Sequence, residues 1–374
     1  MTSNDRQETS VRVLNLIQCT NLGGMEVASL RLMRGLMQRG HRVELLSLHP
    51  LGALAPLLAA SGIAAEGLTY RGTWGWRSLG AVRAAIARHD HDALLMTGHN
   101  LIAMLALDRD PARRRVLAIH YHHLGVKPRW QWRLIYSMAL ARFDAITFPS
   151  DFVCTEAQAI QSGIARIAHT VRNPIDLPPL PDARDKMIAR AHFRLPPGAV
   201  VIGNAGHLIA RKRFDVFLDV AARVSATRDG CYFLIAGDGE LRGTLEAQAS
   251  RLGIGQQVVW AGRLPDLASF YSALDVLLFN SDQDALGMTP LEAMSYGVPV
   301  VASSLYGGLK EVIRERAHGI LLDRHDTDAL AAAVIECLRT GPDRPGHLAR
   351  ARVSELTPQA HTVGAIESLL SGGS

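Results

Sequence analysis

The 374-residue chain reads as an α/β protein made of two doubly wound halves, and three observations lead there. Short apolar runs alternate with amphipathic helical stretches almost from end to end, the rhythm of a mainly parallel sheet covered by helices on both faces. The rhythm breaks once, at residues 173–181, where four prolines within nine residues sustain neither a helix nor a central strand. It then restarts, and the length suits two domains of about 100–200 residues each.

In the first half, strands are expected at 11–17, 42–48, 93–96, 115–119, 145–148 and 167–171, all short apolar runs. Residues 25–39 repeat apolar positions at helical spacing and stop at Gly40, a C-terminal cap. The second half predicts strands at 200–204, 232–236, 258–260, 276–279 and 298–302, with helices at 213–228, 239–253, 265–273 and 289–296. Helical spacing returns at 358–371. The expected division is 1–175, 176–355 and a terminal segment 356–374, with 173–181 as linker and hinge. In such sheets ligands sit beyond the carboxyl ends of the strands, so two facing domains place a cleft between them.

Composition narrows the class. Apolar residues make up 48% and charged residues 20%, a globular balance that argues against disorder. No apolar run reaches the ~18–20 residues of a membrane span, and residues 1–10 are polar, so no secretory signal is expected. Cys19, Cys154, Cys231 and Cys337 are widely spaced, which predicts neither a disulfide framework nor a zinc site and fits a reducing cytoplasm. The net charge of +5 is uneven, with 20 basic and 12 acidic side chains in residues 1–175 against 20 and 23 in the remainder. The basic residues form no continuous run and accompany no nucleic-acid motif, so nucleic acid is not expected as a partner.

Four motifs carry chemistry. Gly23-Gly24-Met25-Glu26 falls between the first strand and the first helix, where glycines let the backbone approach a ligand and the helix start favours an anion. It matches neither a P-loop nor the G-x-G-x-x-G fingerprint, and a plain turn would look the same. Residues 206–213 contain His207, Arg211 and Lys212 ahead of the next helix, where a lysine can meet a phosphate as a point charge; a solvated basic turn is the bland alternative. Gly237-Asp238-Gly239 resembles a dinucleotide loop with Arg242 where a third glycine belongs, which is weak evidence for more than a tight turn. The fourth motif runs from Asp284 to Val300 and sets two carboxylates, Asp284 and Glu292, eight residues apart. Asp284 is expected in the loop and Glu292 in the first helical turn beside Pro290, both facing one crevice as acceptors for sugar hydroxyls; a lone Glu there would serve the helix dipole equally well.

Taken together these motifs make the chain similar to the retaining glycosyltransferases of family 4, whose two Rossmann-like domains facing a central cleft are called GT-B. The likeness rests on Gly23 to Glu26, on Asn173-Pro174-Ile175-Asp176, on Gly206 to Lys212, and on Gly237 to Gly239 with Gly262. It continues through Asp284 to Val300 and Gly307-Gly308 with Glu311, so that it spans nearly the whole length. The resemblance implies that the second domain binds a nucleotide-activated sugar and the first its acceptor. Glu292 would hold the ribose hydroxyls, Lys212 the donor diphosphate, and Gly23 and Gly24 would approach that diphosphate. Arg263 and Leu264 fall where the base is contacted, and Gly287, Met288 and Thr289 lie within the donor motif. His120 matches the acceptor-side histidine, while His99, after another strand, would line the acceptor pocket; His122 and His123 are expected to be loop residues. Two departures stand out. Asp284 is one methylene shorter than the family's glutamate, and His207 replaces its arginine, which is permanently charged.

What the resemblance implies is a retaining transfer in which Lys212, the Gly23–Gly24 turn and Arg211 or His207 stabilise charge on the leaving diphosphate. Attack is from the front face, with no metal and no cofactor, and with His120, Lys212 and Asp284 around the reacting atoms. UDP is the default donor base, and the acceptor would be a glycan, a lipid-linked sugar or a small molecule of cell-surface polysaccharide or glycolipid biosynthesis. Other classes share parts of the pattern: a non-catalytic nucleotide-sugar-binding subunit, a nucleotide-sugar epimerase and a disaccharide phosphorylase. Asp282-Gln283-Asp284 is formally a metal-binding D-x-D. Finally, residues 127–136 interleave Lys127, Arg129 and Arg133 with Trp130, Trp132 and Tyr136, which suits peripheral contact with an anionic inner membrane by a cytoplasmic enzyme. A buried aromatic helix with a solvated basic face would give the same spelling.

Overall fold

The computed structural model describes residues 10–69, 76–108, 110–119, 127–340 and 345–372. The chain forms two compact units, Met1–Pro174 with Gln359–Ser374, and Ile175–Pro358.

Among the described residues the first unit carries seven strands: β1 (Arg12–Ile17), β2 (Arg42–Ser47), β3 (Ala64–Gly67), β4 (Ala93–Thr97), β5 (Arg114–Ala118), β6 (Ala145–Phe148) and β7 (Ala168–Thr170). They pair in parallel in the order β3-β2-β1-β4-β5-β6-β7. β4 and β6 are buried at every residue, as strands covered on both faces must be, and this is why they read as unbroken apolar runs. The helix Gly24–Gln38 buries Ala28, Leu32, Met33 and Leu36 at helical spacing, and Gly40, at φ 91°, takes the left-handed position just beyond its end.

The terminal helix Gln359–Ser371 completes this unit. Val363, Ile366 and Leu370 enter the core that holds Val13, Leu36 and Val116. Glu367 accepts from Arg39 Nε at 2.6 Å and pairs with His41 Nε2 at 2.6 Å. Gly35 is the contact point with the helix Gly24–Gln38, since a Cβ there would stand 2.4 Å from a Val363 methyl.

The second unit has β8 (Val200–Ala205), β9 (Cys231–Ala236), β10 (Val258–Gly262), β11 (Val276–Asp284), β12 (Val300–Gly307) and β13 (Ile320–Leu322), parallel in the order β10-β9-β8-β11-β12-β13. Alternate residues of β11 serve opposite faces: Leu277 and Phe279 join one core, Val276 and Leu278 the other. Residues 171–182 form neither helix nor strand, as the prolines dictate. Asp182 then opens the helix Ala183–His192 with a reciprocal capping box to Asp185.

Three expectations from the sequence need correcting. β11 runs five residues past Phe279, so Asp284 ends a strand, paired with Gly307, and does not sit in a loop. β12 likewise extends to Gly307. The helix after β9 begins at Arg242, three residues late, because Gly237 and Gly239 are packed under the neighbouring loop: a Cβ at either would lie 1.9 Å from the Gly206 carbonyl or 2.6 Å from that of Leu208.

Candidate active site

In each unit the chain leaves a central strand toward one edge and returns on its other side, so the loops beyond those two neighbours diverge and leave a crevice at their carboxyl ends. The pair is β1 and β4 in the first unit and β8 and β11 in the second. Most of the candidate residues sit on these four loops or strand ends.

In the first unit, Gly23 caps the helix Gly24–Gln38 in extended conformation, and a Cβ on it would stand 2.5 Å from Glu26 Oε2. Glu26 thus lies folded under the turn. Burial pushes its carboxyl above the usual range, and the Cys19 thiol, also raised by burial, donates to Oε1 at 3.5 Å. From the loop after β4, His99 packs its ring on the fully buried Trp132 at 4.8 Å between centroids, while Asn100 caps the helix Leu101–Ala106. His120, together with His122 and His123, lies outside the described residues.

In the second unit, β8 is followed by a 3-10 turn, Ala210–Lys212, and then by the helix Phe214–Thr227. Lys212 reaches the Asp284 carboxylate at the end of β11, with its ammonium 5.2 Å over the face of Phe279. Both side chains are largely buried, at 17% and 15% exposure, so the pair is shielded from bulk screening. An ammonium has three donors, so Lys212 can hold Asp284 and an incoming phosphate oxygen together.

Gly287, at φ 87°, turns the chain into the helix Met288–Ser295. The Thr289 hydroxyl donates to the Ala205 carbonyl at 3.2 Å, which ties this helix start to the end of β8. Glu292 is the fifth residue of that helix and not in its first turn, which removes the dipole role. Its carboxylate accepts instead from the hydroxyl of buried Tyr271 at 2.8 Å. One oxygen is thereby fixed, which suits a hydroxyl-binding role.

Other expected contacts sit differently. Arg211 donates to the Gln283 carbonyl at 2.8 Å, so its guanidinium clamps the end of β11 to the turn. His207 and Arg263 are exposed, and Leu264 packs against the core. Among the described residues no three His, Cys, Asp or Glu side chains gather as a metal site; Asp282 faces Arg213 and His325, and Asp284 faces Lys212. Sequence reasoning missed Tyr271 and His325, which no local motif marks. It met Asp282 only as half of a D-x-D.

Two doubly wound units, the second with a lysine at its switch point and an anchored glutamate on the next helix, make an architecture of the GT-B type. Family models agree: one for glycosyl transferases group 1 matches residues 185–352 and one for glycosyltransferase family 4 matches 22–178. Together the two matches cover most of the chain, which has the GT-B fold and is related to the group 1 and family 4 glycosyltransferases.

It is 32% identical over 165 residues to the lipopolysaccharide core biosynthesis glycosyltransferase LpsE of Rhizobium meliloti, covering 43% of this chain and 47% of that protein. Over 282 residues it is 30% identical to a D-inositol 3-phosphate glycosyltransferase of Thermobispora bispora, covering 63% and 64%. The matches thus span about half to two thirds of these curated relatives. In fold it is similar to Anabaena Alr3699/HepE, solved with UDP and glucose, at a TM-score of 0.84 and 19% identity over 97% of this chain and all of that one.

Proposed function

We propose that the chain is a retaining glycosyltransferase that moves a sugar from a UDP-sugar to a glycan or lipid-linked acceptor without a metal ion. The observation that carries this reading is Lys212 against Asp284 at the β8–β11 switch point, with Glu292 held by Tyr271 nearby. When the anomeric C–O bond breaks, negative charge grows on the departing diphosphate. A buried, positioned ammonium stabilises that charge more than it stabilises the ground state, which lowers the barrier. Glu292 accepts from the ribose hydroxyls, and Asp284, beside Lys212, accepts from a sugar hydroxyl. The UDP and UDP-glucose complexes of Alr3699/HepE and the lipopolysaccharide role in the name of LpsE support this donor and acceptor class.

The test is a thermal-shift screen of nucleotide sugars followed by transfer from the best donor to extracted cell lipids and glycans. Stabilisation by UDP-sugars and labelled product are expected. Product that appears only with inorganic phosphate, or donor binding with no transfer or hydrolysis, overturns the reading. Chelation by EDTA should leave the rate within about twofold, because fixed cationic and N–H groups supply what a divalent ion otherwise would. Loss of transfer restored by manganese would return Asp282 and Asp284 to a metal site.

We further propose that the first unit docks on anionic lipid. No helix among the described residues is long and apolar enough to cross a membrane. The helix Arg129–Arg142 buries Trp132, Ile135, Tyr136 and Ala139 and turns Trp130, 65% exposed, and Leu134, 47% exposed, outward beside exposed Arg129 and Arg133. Trp sits at headgroup depth and each nearby Arg adds about 1 kcal/mol on an anionic surface. Vesicle binding should rise with anionic lipid and fall with salt, and Arg129→Ala with Trp130→Ala should weaken it roughly tenfold. Indifference to anionic vesicles at low salt points to a soluble acceptor.

A further inference from the structure

Arg213, directly after Lys212, has φ 47° and ψ 44°, and among the described residues only Arg194 is another non-glycine at positive φ. That conformation crowds Cβ against the backbone and is ordinarily left to glycine. It occurs here where the chain must turn sharply from the 3-10 turn carrying Lys212 into the helix Phe214–Thr227. A strained residue persists only where its surroundings over-determine it.

The surroundings do so through the side chain. Arg213 donates to Asp215 from Nε at 3.0 Å and from Nη2 at 2.9 Å, and to Asp282 from Nη1 at 3.2 Å. Burial, the largest single influence, pushes the Asp215 carboxyl up, but the hydrogen bonds and charge of Arg213, together with backbone N–H donors at Val216 and Asp215, hold that carboxyl below its usual range. His325 Nε2 lies at hydrogen-bond distance from Asp282 Oδ1, 2.9 Å, and His325 Nδ1 from the hydroxyl of fully buried Ser303, 2.6 Å, while that hydroxyl also faces Asn280 Oδ1 at 3.3 Å. The connection therefore runs from Ser303 on β12, through His325 beyond β13 and Asp282 on β11, to the residue beside Lys212. Residues 282 and 284 lie on one face of β11, as alternation requires. Asp284 holds Lys212 and Asp282 holds Arg213, so two successive carboxylates fix two successive cations.

We propose that Ser303, His325, Asp282 and Arg213 form a relay, buried at Ser303 and His325 and half-exposed at Asp282 and Arg213, that sets the position of Lys212, with His325 and Asp282 as positioning residues for recognition of the donor's diphosphate. This rests on the reading that Lys212 meets the diphosphate. It assigns the Asp282-Gln283-Asp284 pattern to a pair of cation clamps and gives His325 a part in donor binding.

The experiment is a titration of the full chain with UDP and, separately, with uridine, which lacks the diphosphate. Asp282→Ala, His325→Ala and Arg213→Ala should each weaken UDP about tenfold while uridine binding stays within about twofold. Arg213→Gly should recover most of the UDP affinity lost in Arg213→Ala, since glycine takes the left-handed conformation unaided. In the Arg213→Gly background, Asp282→Ala and His325→Ala should lose their effect. Equal binding by Arg213→Ala and Arg213→Gly, equal losses for UDP and uridine, or an undiminished Asp282→Ala effect in the glycine background overturns the relay. Lys212→Ala, run alongside, separates the two ideas: unchanged UDP affinity in that variant removes the diphosphate reading itself.

Discussion

Lys212→Ala lowers affinity for UDP by roughly ten- to a hundredfold and slows transfer at least as much. A hydrogen bond to a charged group contributes about 1.5–3 kcal/mol, and each 1.4 kcal/mol is a factor of ten. Two effects combine at this position. The phosphate loses its cation, and Asp284, which shares Lys212 in the folded protein, is left as an uncompensated negative charge beside an incoming dianion. Uridine, without phosphates, should bind with little change. Isothermal titration with both ligands gives the ratio, and transfer kinetics give the remainder: if the ammonium acts mainly on the leaving group, kcat falls along with affinity. Parent-like UDP binding in this variant would remove Lys212 from the donor site.

Gly307→Val abolishes transfer to below about one hundredth of the parent rate and lowers stability. At φ 136° this residue is in a region closed to side chains, and a Cβ would stand 1.6 Å from the Asp284 carbonyl oxygen. The ends of β11 and β12 pair at this very point, so a side chain must force them apart and carry Asp284 away from Lys212. A displacement of about 1 Å at a reacting site costs on the order of a hundredfold. Backbone strain of this kind adds a stability loss of about 1–3 kcal/mol. Gly243→Ala is the matched control, lying in the exposed helix Arg242–Arg251 with nothing within 4 Å of the added carbon. It should raise the melting temperature slightly and leave the rate alone. Equal rates in the two variants would show that the β11–β12 junction is not what fixes Asp284.

The sequence spells some of this arrangement and hides the rest for physical reasons. The buried strands are legible because two covered faces demand uninterrupted apolar runs, and β4, β6 and the start of β11 read that way. β3 and β13 do not. They are edge strands of four and three residues, with partly exposed side chains and no periodicity long enough to detect. Lys212, Asp284 and Glu292 stand out because helix starts and spacing advertise them. Tyr271 lies 21 residues from Glu292, and His325 lies 43 from Asp282, so only the folded sheet brings each pair together. The overrun of β11 to Asp284 is hidden for the same reason: its last residues are polar and their partner strand is remote in sequence. In residues 129–142 the mixture of Trp and Arg is visible, but helical phase decides which indole is buried, and that puts Trp132 inside and Trp130 outside.

The terminal helix bears on how the chain comes off the ribosome. Domains ordinarily fold as they emerge, the N-terminal one first. Here the second unit is whole once residue 358 has been made, while the first still lacks the helix Gln359–Ser371. Until then Gly35 has no Val363 against it, and the places of Ile366 and Leu370 in the core are empty. Fully burying such side chains is worth about 1.5–3 kcal/mol each, a large share of the stability of an ordinary domain. The first unit to be made is therefore not the first that can be finished: its core closes only when residues 359–371 are available, after every residue of the second unit has been synthesised. A chain cut after residue 358 would leave the side of the helix Gly24–Gln38 around Gly35 uncovered by Val363.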